Sequence, residues 1–173
     1  MKRLSILVLG LLLAVGCSSN STTPSTSTAG TTTTRFSATL SPAQETPPIV
    51  GAEAAGTGTS TMDFNITRDA AGAITAATVN FTVTLASMPS TAVVNIAHIH
   101  TGASGVAGPV LVNTTVVPGE VTLSGGAGTF TRVGLTMTAA TAQSILDSPA
   151  GFYFNVHTAA NPGGVMRGQL VKQ

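Results

Sequence analysis

A strict two-residue alternation of apolar side chains, repeated in short runs with turn residues between them, most constrains what this chain can become. Met62, Phe64 and Ile66 fall two apart, and so do Val79, Phe81, Val83 and Leu85. Successive side chains of a strand point to opposite faces, so each run presents one apolar face and one polar face. Arg68-Asp-Ala-Ala-Gly72 separates the two runs, and Asp with Gly in so short a connection signals a hairpin. Arg35–Leu40, Asn95–His100, Pro109–Asn113, Phe152–His157 and Val165–Val171 read as further strands. Val121–Val133, broken at Gly125-Gly-Ala-Gly128, reads as another hairpin. The prolines of Ser41–Pro48 exclude a central strand there, because each removes a ladder donor. Only Thr138–Asp147 has a helical pattern, with Thr138 as cap and Ala139, Ala142, Ile145 and Leu146 on one stripe. The expected fold is all-β, a Greek-key β-sandwich or barrel with one short helix near 138–147.

The first residues obey a different logic. Met1-Lys2-Arg3 is followed by an apolar run of about 12 residues, Leu4–Val15, and then by Gly16-Cys17, the layout of a secretory signal. The run falls well short of the roughly 20 residues a membrane-spanning helix needs. Ala14-Val-Gly-Cys17 resembles the bacterial lipobox, with Ala14 where Leu is commoner. That resemblance implies that residues 1–16 are removed and that Cys17 is acylated. Cys17 is the only cysteine, so no disulfide forms within the chain and the fold depends on its core. By resemblance to Gram-negative sorting, Ser18 after the cysteine points to the outer membrane. Residues 18–34 are small and polar with no apolar period, and read as a flexible tether leading to a domain at 35–173.

Composition removes several function classes. Loss of Lys2 and Arg3 with the signal turns a formal net charge of +1 into about −1. Arg35, Arg68, Arg132, Arg167 and Lys172 are spread thinly, which leaves no footprint for nucleic acid. With no Trp and a single Tyr, a stacking platform for carbohydrate is not expected. Gly102, Gly105 and Gly108 lack the Lys-Ser/Thr ending and the following helix of a phosphate loop. Ser104 and Thr101 near His100 lack a nucleophile elbow and an orienting acid. No catalytic residues are assigned, and the chain is expected not to be an enzyme.

The chemistry concentrates in the three histidines. On a strand, His98 and His100 share one face, with Ala97 and Ile99 on the other. His157 shares a face with Tyr153 and Asn155, opposite Phe154 and Val156. A His-x-His pair projects two imidazoles side by side, within reach of one ion at about 2.0–2.1 Å per bond, and His157 supplies a third nitrogen. Imidazole suits zinc and copper. Glu45 is a candidate carboxylate nearby. The competing reading is a buried polar network, in which the rings bond Asn155, Tyr153, Thr101 or backbone carbonyls, and Glu45 pairs with Arg167 to anchor the Pro47-Pro48 loop.

His98-Ile-His-Thr-Gly102, Gly108-Pro-Val110, Asn155-Val-His-Thr158, Asn161-Pro-Gly-Gly164 and Arg167-Gly-Gln169 stand in the order of a CHRD domain, which the chain resembles over about residues 35–171. Gln44-Glu45-Thr-Pro-Pro48 is similar to the family's Gln-Glu-x-Pro-Pro element, and Gly56 to its following glycine. Met166 and Thr114 depart from the family's usual residues, and neither touches the histidines. The resemblance implies an extracytoplasmic β domain. The growth-factor role of chordin-like members is not carried over to a bacterial copy. The chain is thus expected to be an exported, lipid-anchored binding or scaffold module with an unknown protein partner. The alternative is a copper- or zinc-binding protein using His98, His100 and His157.

Overall fold

A computed structural model describes residues 30–173; the signal segment, Cys17 and the first part of the tether lie outside the described residues. The chain forms two antiparallel sheets stacked as a sandwich. The first contains β1 (Gly30–Leu40), β2 (Thr57–Arg68), β3 (Ile74–Ala86), β6 (Gly128–Met137) and β9 (Val171–Lys172), in the order β6-β3-β2-β1-β9. The second contains β4 (Val94–Thr101), β5 (Val110–Asn113), β7 (Phe152–Thr158) and β8 (Met166–Gln169), in the order β5-β4-β7-β8. The expected all-β sandwich is what forms, as two sheets rather than one closed barrel. Among the described residues no helix is long and apolar enough to cross a membrane.

The β2–β3 hairpin follows from its sequence. Asp69 Oδ1 accepts from the Ala71 and Ala73 amides, each at 2.9 Å, and Gly72 takes the positive φ of 86° that closes the turn. Met62, Phe64, Ile66, Val79, Phe81, Val83 and Leu85 are all buried between the sheets. The Phe81 and Phe154 rings meet at 5.6 Å, joining β3 to β7 across the sandwich.

Four local expectations are corrected. The first strand starts earlier than Arg35, because β1 begins at Gly30 and pairs there with Arg68. Cross-strand polar pairs extend it: the Thr31 and Thr67 hydroxyls lie 2.8 Å apart, and Thr33 donates to Asn65 at 2.7 Å. Val121 and Leu123 are buried, but only a single Ser124–Ala127 bridge forms there, so the expected hairpin lacks its first strand. Val165–Val171 is not one strand: β8 belongs to the second sheet and β9 pairs with β1 in the first. Leu170 is the corner, 1% exposed, its side chain kept between the sheets while the backbone changes partner. Helix α1 (Ala139–Asp147) forms with Thr138 as its cap and Ala142 and Ile145 buried, yet Ala139 is exposed at its first turn.

Every residue of β7 is buried, which sets the stage for the site. Phe152, Phe154 and Val156 enter the sandwich core. Tyr153, Asn155 and His157 face the other way, where an ordinary sandwich would meet water. Three connections roof that face instead: the Pro-rich segment after β1, the glycine-rich loop between β4 and β5, and the turn between β7 and β8.

Candidate metal centre under a three-loop roof

Strand pairing brings the histidines together. β4 and β7 run antiparallel with His98 opposite Asn155, His100 opposite Tyr153 and Ile96 opposite His157. One nitrogen from each of His98, His100 and His157 lies within 4.8 Å of the others, and the three rings are only 7–8% exposed. His98 Nδ1 is 3.2 Å from His157 Nε2. Two nitrogens bound tetrahedrally to one ion at 2.0–2.1 Å stand about 3.3 Å apart, so this pair already has chelating separation. Glu45 is not in that cluster; its oxygens are taken by Asn155 and Arg167.

The roof fixes which nitrogens are free. His100 Nδ1 donates to the Gly108 carbonyl at 2.9 Å, and His157 Nδ1 donates to the Pro162 carbonyl at 2.8 Å. A carbonyl only accepts, so both rings carry their proton on Nδ1 and present a lone pair at Nε2. The lone pair of His157 accepts from His98 Nδ1–H. That of His100 is buried and has no partner. Carbonyl-held imidazoles with inward lone pairs have the outer-shell support that ligating histidines show.

His100 is clamped from the far side as well. Tyr153 stacks on it with ring centres 4.9 Å apart and planes 8° from parallel, and the Arg167 guanidinium lies 4.7 Å from the Tyr153 ring centre. The Gly108 amide donates to the Tyr153 hydroxyl at 3.3 Å. Gly108 can do both jobs only as glycine, because a Cβ there would sit 1.7 Å from the Thr101 carbonyl oxygen.

Charge in this layer is managed by Arg167 and Glu45. Arg167, 3% exposed, donates from Nε to the Gln44 carbonyl at 2.7 Å, from Nη1 to the Val106 carbonyl at 3.1 Å, and from Nη2 to the Thr46 hydroxyl. Its Nε is also 3.4 Å from Glu45 Oε2. The guanidinium thus ties two roof loops to β8. Burial pushes the Glu45 carboxyl up to about 7, outweighing Arg167 and the Thr46 amide, which pull it down. Burial also lowers His98 to about 4, with His157 and His100 adding to the effect. His100 and His157 are lowered too, chiefly by burial, against the bonds to Gly108 and Pro162 that favour the charged ring. At neutral pH the site offers uncharged imidazoles, the form that binds metal.

The sequence points to the histidines, Glu45 and Arg167, with Tyr153, Asn155 and backbone carbonyls as partners, but not to Glu53. Glu53, 4% exposed, accepts from Thr158 Oγ1 at 2.7 Å and from Asn161 Nδ2 at 2.5 Å, pinning the loop that carries Pro162. Nothing local marks Glu53 in the sequence, since its partners lie over 100 positions away. Gly164 lies so close to Glu45 and Asn155 that a Cβ would fall 2.6 Å from Asn155 Nδ2. Its signal in the sequence is the Asn161-Pro-Gly-Gly164 run.

Neither a comparison with curated proteins nor one with solved structures found a match. The family model of the CHRD domain matches residues 36–170, which takes in both sheets apart from β9 and the start of β1, the three roof loops and every histidine. The chain belongs to the CHRD-domain family.

Proposed function

We propose that this chain is a non-enzymatic binding module of the cell envelope, held there by a lipid on Cys17, and that it binds one copper or zinc ion through His98, His100 and His157. One observation carries the metal reading: three uncharged imidazoles from two strands converge, and the lone pair of His100 Nε2 is buried with no partner. A finished polar network leaves few buried groups unpaired, whereas a ligand set awaiting an ion leaves its lone pairs empty. His98 Nδ1–H donating to His157 is the arrangement without metal. Chelation moves that proton to the other nitrogen of His98, a tautomer change at one ring. The export and anchor rest on the amino-terminal pattern, the basic start and apolar run before Cys17.

The competing reading, a purely structural polar layer, draws on the carbonyl bonds to His100 and His157. Calorimetric titration with Cu²⁺ and Zn²⁺ separates the two. The metal reading predicts one ion per chain and loss of that binding in a His98→Ala/His100→Ala variant. Equally weak binding by both proteins refutes it.

A further inference from the structure

Three side-chain polar atoms are buried without a hydrogen-bond partner among the described residues: Ser60 Oγ, His100 Nε2 and Asn155 Oδ1. Ser60 lies in β2, whereas the other two lie on the same roofed face of the second sheet. Asn155 stands directly opposite His98 in the β4–β7 register and two residues before His157. Residues paired across antiparallel strands have Cβ atoms about 4.5–5.5 Å apart, so the Asn155 amide borders the imidazole cluster. Its orientation is set by Glu45. Nδ2 donates to Glu45 Oε1 at 2.6 Å, and an ionised carboxylate has no proton to give an amide oxygen, so with Glu45 ionised the carbonyl oxygen is the atom turned away from it. Glu45 is in turn beside Arg167, and Gly164 leaves the space the amide nitrogen occupies. A whole chain of contacts therefore holds a buried oxygen with nothing to accept.

We infer that Asn155 Oδ1 is the fourth donor to the ion held by His98, His100 and His157, completing a three-nitrogen, one-oxygen set that selects a divalent ion over Cu⁺. This rests on the three-histidine reading above. The chemistry follows from ligand softness. Zn²⁺ and Cu²⁺ accept imidazole together with an oxygen donor in four-coordinate sites, whereas Cu⁺ favours soft sulfur ligands and gains little from an amide oxygen. Glu45 and Arg167 act as positioning residues, holding the amide in the one orientation that presents oxygen. A cleft of about 190 Å³ is lined in part by Glu45 and Gly164, the two residues against the Asn155 amide nitrogen.

The test compares affinities of the full-length chain for Zn²⁺ and, under anaerobic conditions, for Cu⁺, using competing chelators. Asn155→Ala is expected to weaken Zn²⁺ binding by about tenfold or more while leaving Cu⁺ binding little changed. Asn155→Asp, which keeps an oxygen donor and adds charge, is expected to raise the preference for Zn²⁺. Metal-free thermal melting identifies a variant that fails to fold, and Asn155→Asp then carries the comparison. If His98→Ala/His100→Ala binds as the parent does, the three-histidine reading itself falls. If binding needs the histidines but the Zn²⁺-to-Cu⁺ preference is the same in parent, Asn155→Ala and Asn155→Asp, this inference alone is overturned.

Discussion

His98 and His157 lie 59 positions apart in the chain and 3.2 Å apart in space, Nδ1 facing Nε2, in a layer that water scarcely reaches. Their contact costs something. Each ring is harder to protonate there than in the unfolded chain, because burial removes the water that would stabilise the charge.

Acid should therefore weaken the fold. With His98 lowered from 6.5 to about 4, the unfolded chain binds a proton that the folded chain refuses across that window. Stability is fully present above 6.5 and is lost as pH falls toward 4, by a few kcal/mol at about 1.4 kcal/mol per unit. Denaturant unfolding at a series of pH values measures this. A loss of stability toward acid that is shallower in His98→Ala than in the parent is the expected result, the remainder coming from His100 and His157, which burial also lowers.

Glu45 works with the opposite sign. Its carboxyl, raised from 4.5 to about 7, keeps its proton in the folded chain where the unfolded chain releases it, so its contribution is lost as pH rises through that window. Gln resembles the protonated form. The stability of Glu45→Gln relative to the parent should climb between pH 4.5 and 7, read from the same unfolding series. A constant offset across those pH values would show that Glu45 ionises normally.

Gly108→Ala should damage the site from a distance. The new methyl collides with the Thr101 carbonyl, and the loop must move away from β4, taking the acceptor of His100 with it. Expected effects are about 1–3 kcal/mol of lost stability and a roughly tenfold loss of Zn²⁺ affinity. Thermal melting with and without Zn²⁺ reads both.

Cys17→Ser tests the anchor. Acylation by more than one chain holds a protein stably on a membrane, and serine cannot carry the thioether-linked lipid. Membrane fractionation should move the variant into the soluble fraction. Unchanged retention would remove the lipid from the account.

What could be read directly from the chain was whatever depends on neighbours in sequence. The β2–β3 hairpin, the cap at Thr138 and the shared face of His98 and His100 all follow from spacings of two to five residues. The alternation of β7 placed His157 on one face with Tyr153 and Asn155, whereas its position beside His98 depends on the β4–β7 pairing. Of the roof only the Glu45–Arg167 pair over the Pro47-Pro48 loop was legible; the rest was not, because it is built from long-range contacts: Asn155 to Glu45 spans 110 positions and Arg167 to Gln44 spans 123. The change of sheet at Leu170 was hidden for a related reason. Apolar alternation reports which face is buried and is silent about which strand lies alongside. Thr31 and Thr33 were read as tether since they bury nothing, yet their hydroxyls pair across β2 and lengthen β1.

A crystal of the Zn²⁺-loaded chain, measured on both sides of the zinc absorption edge, tests the central claim most directly. The account predicts one anomalous peak at about 2.0–2.1 Å from a nitrogen of each of His98, His100 and His157, with Asn155 Oδ1 as the fourth neighbour. An anomalous map with no peak among these rings, in a chain saturated with zinc elsewhere or not at all, contradicts it.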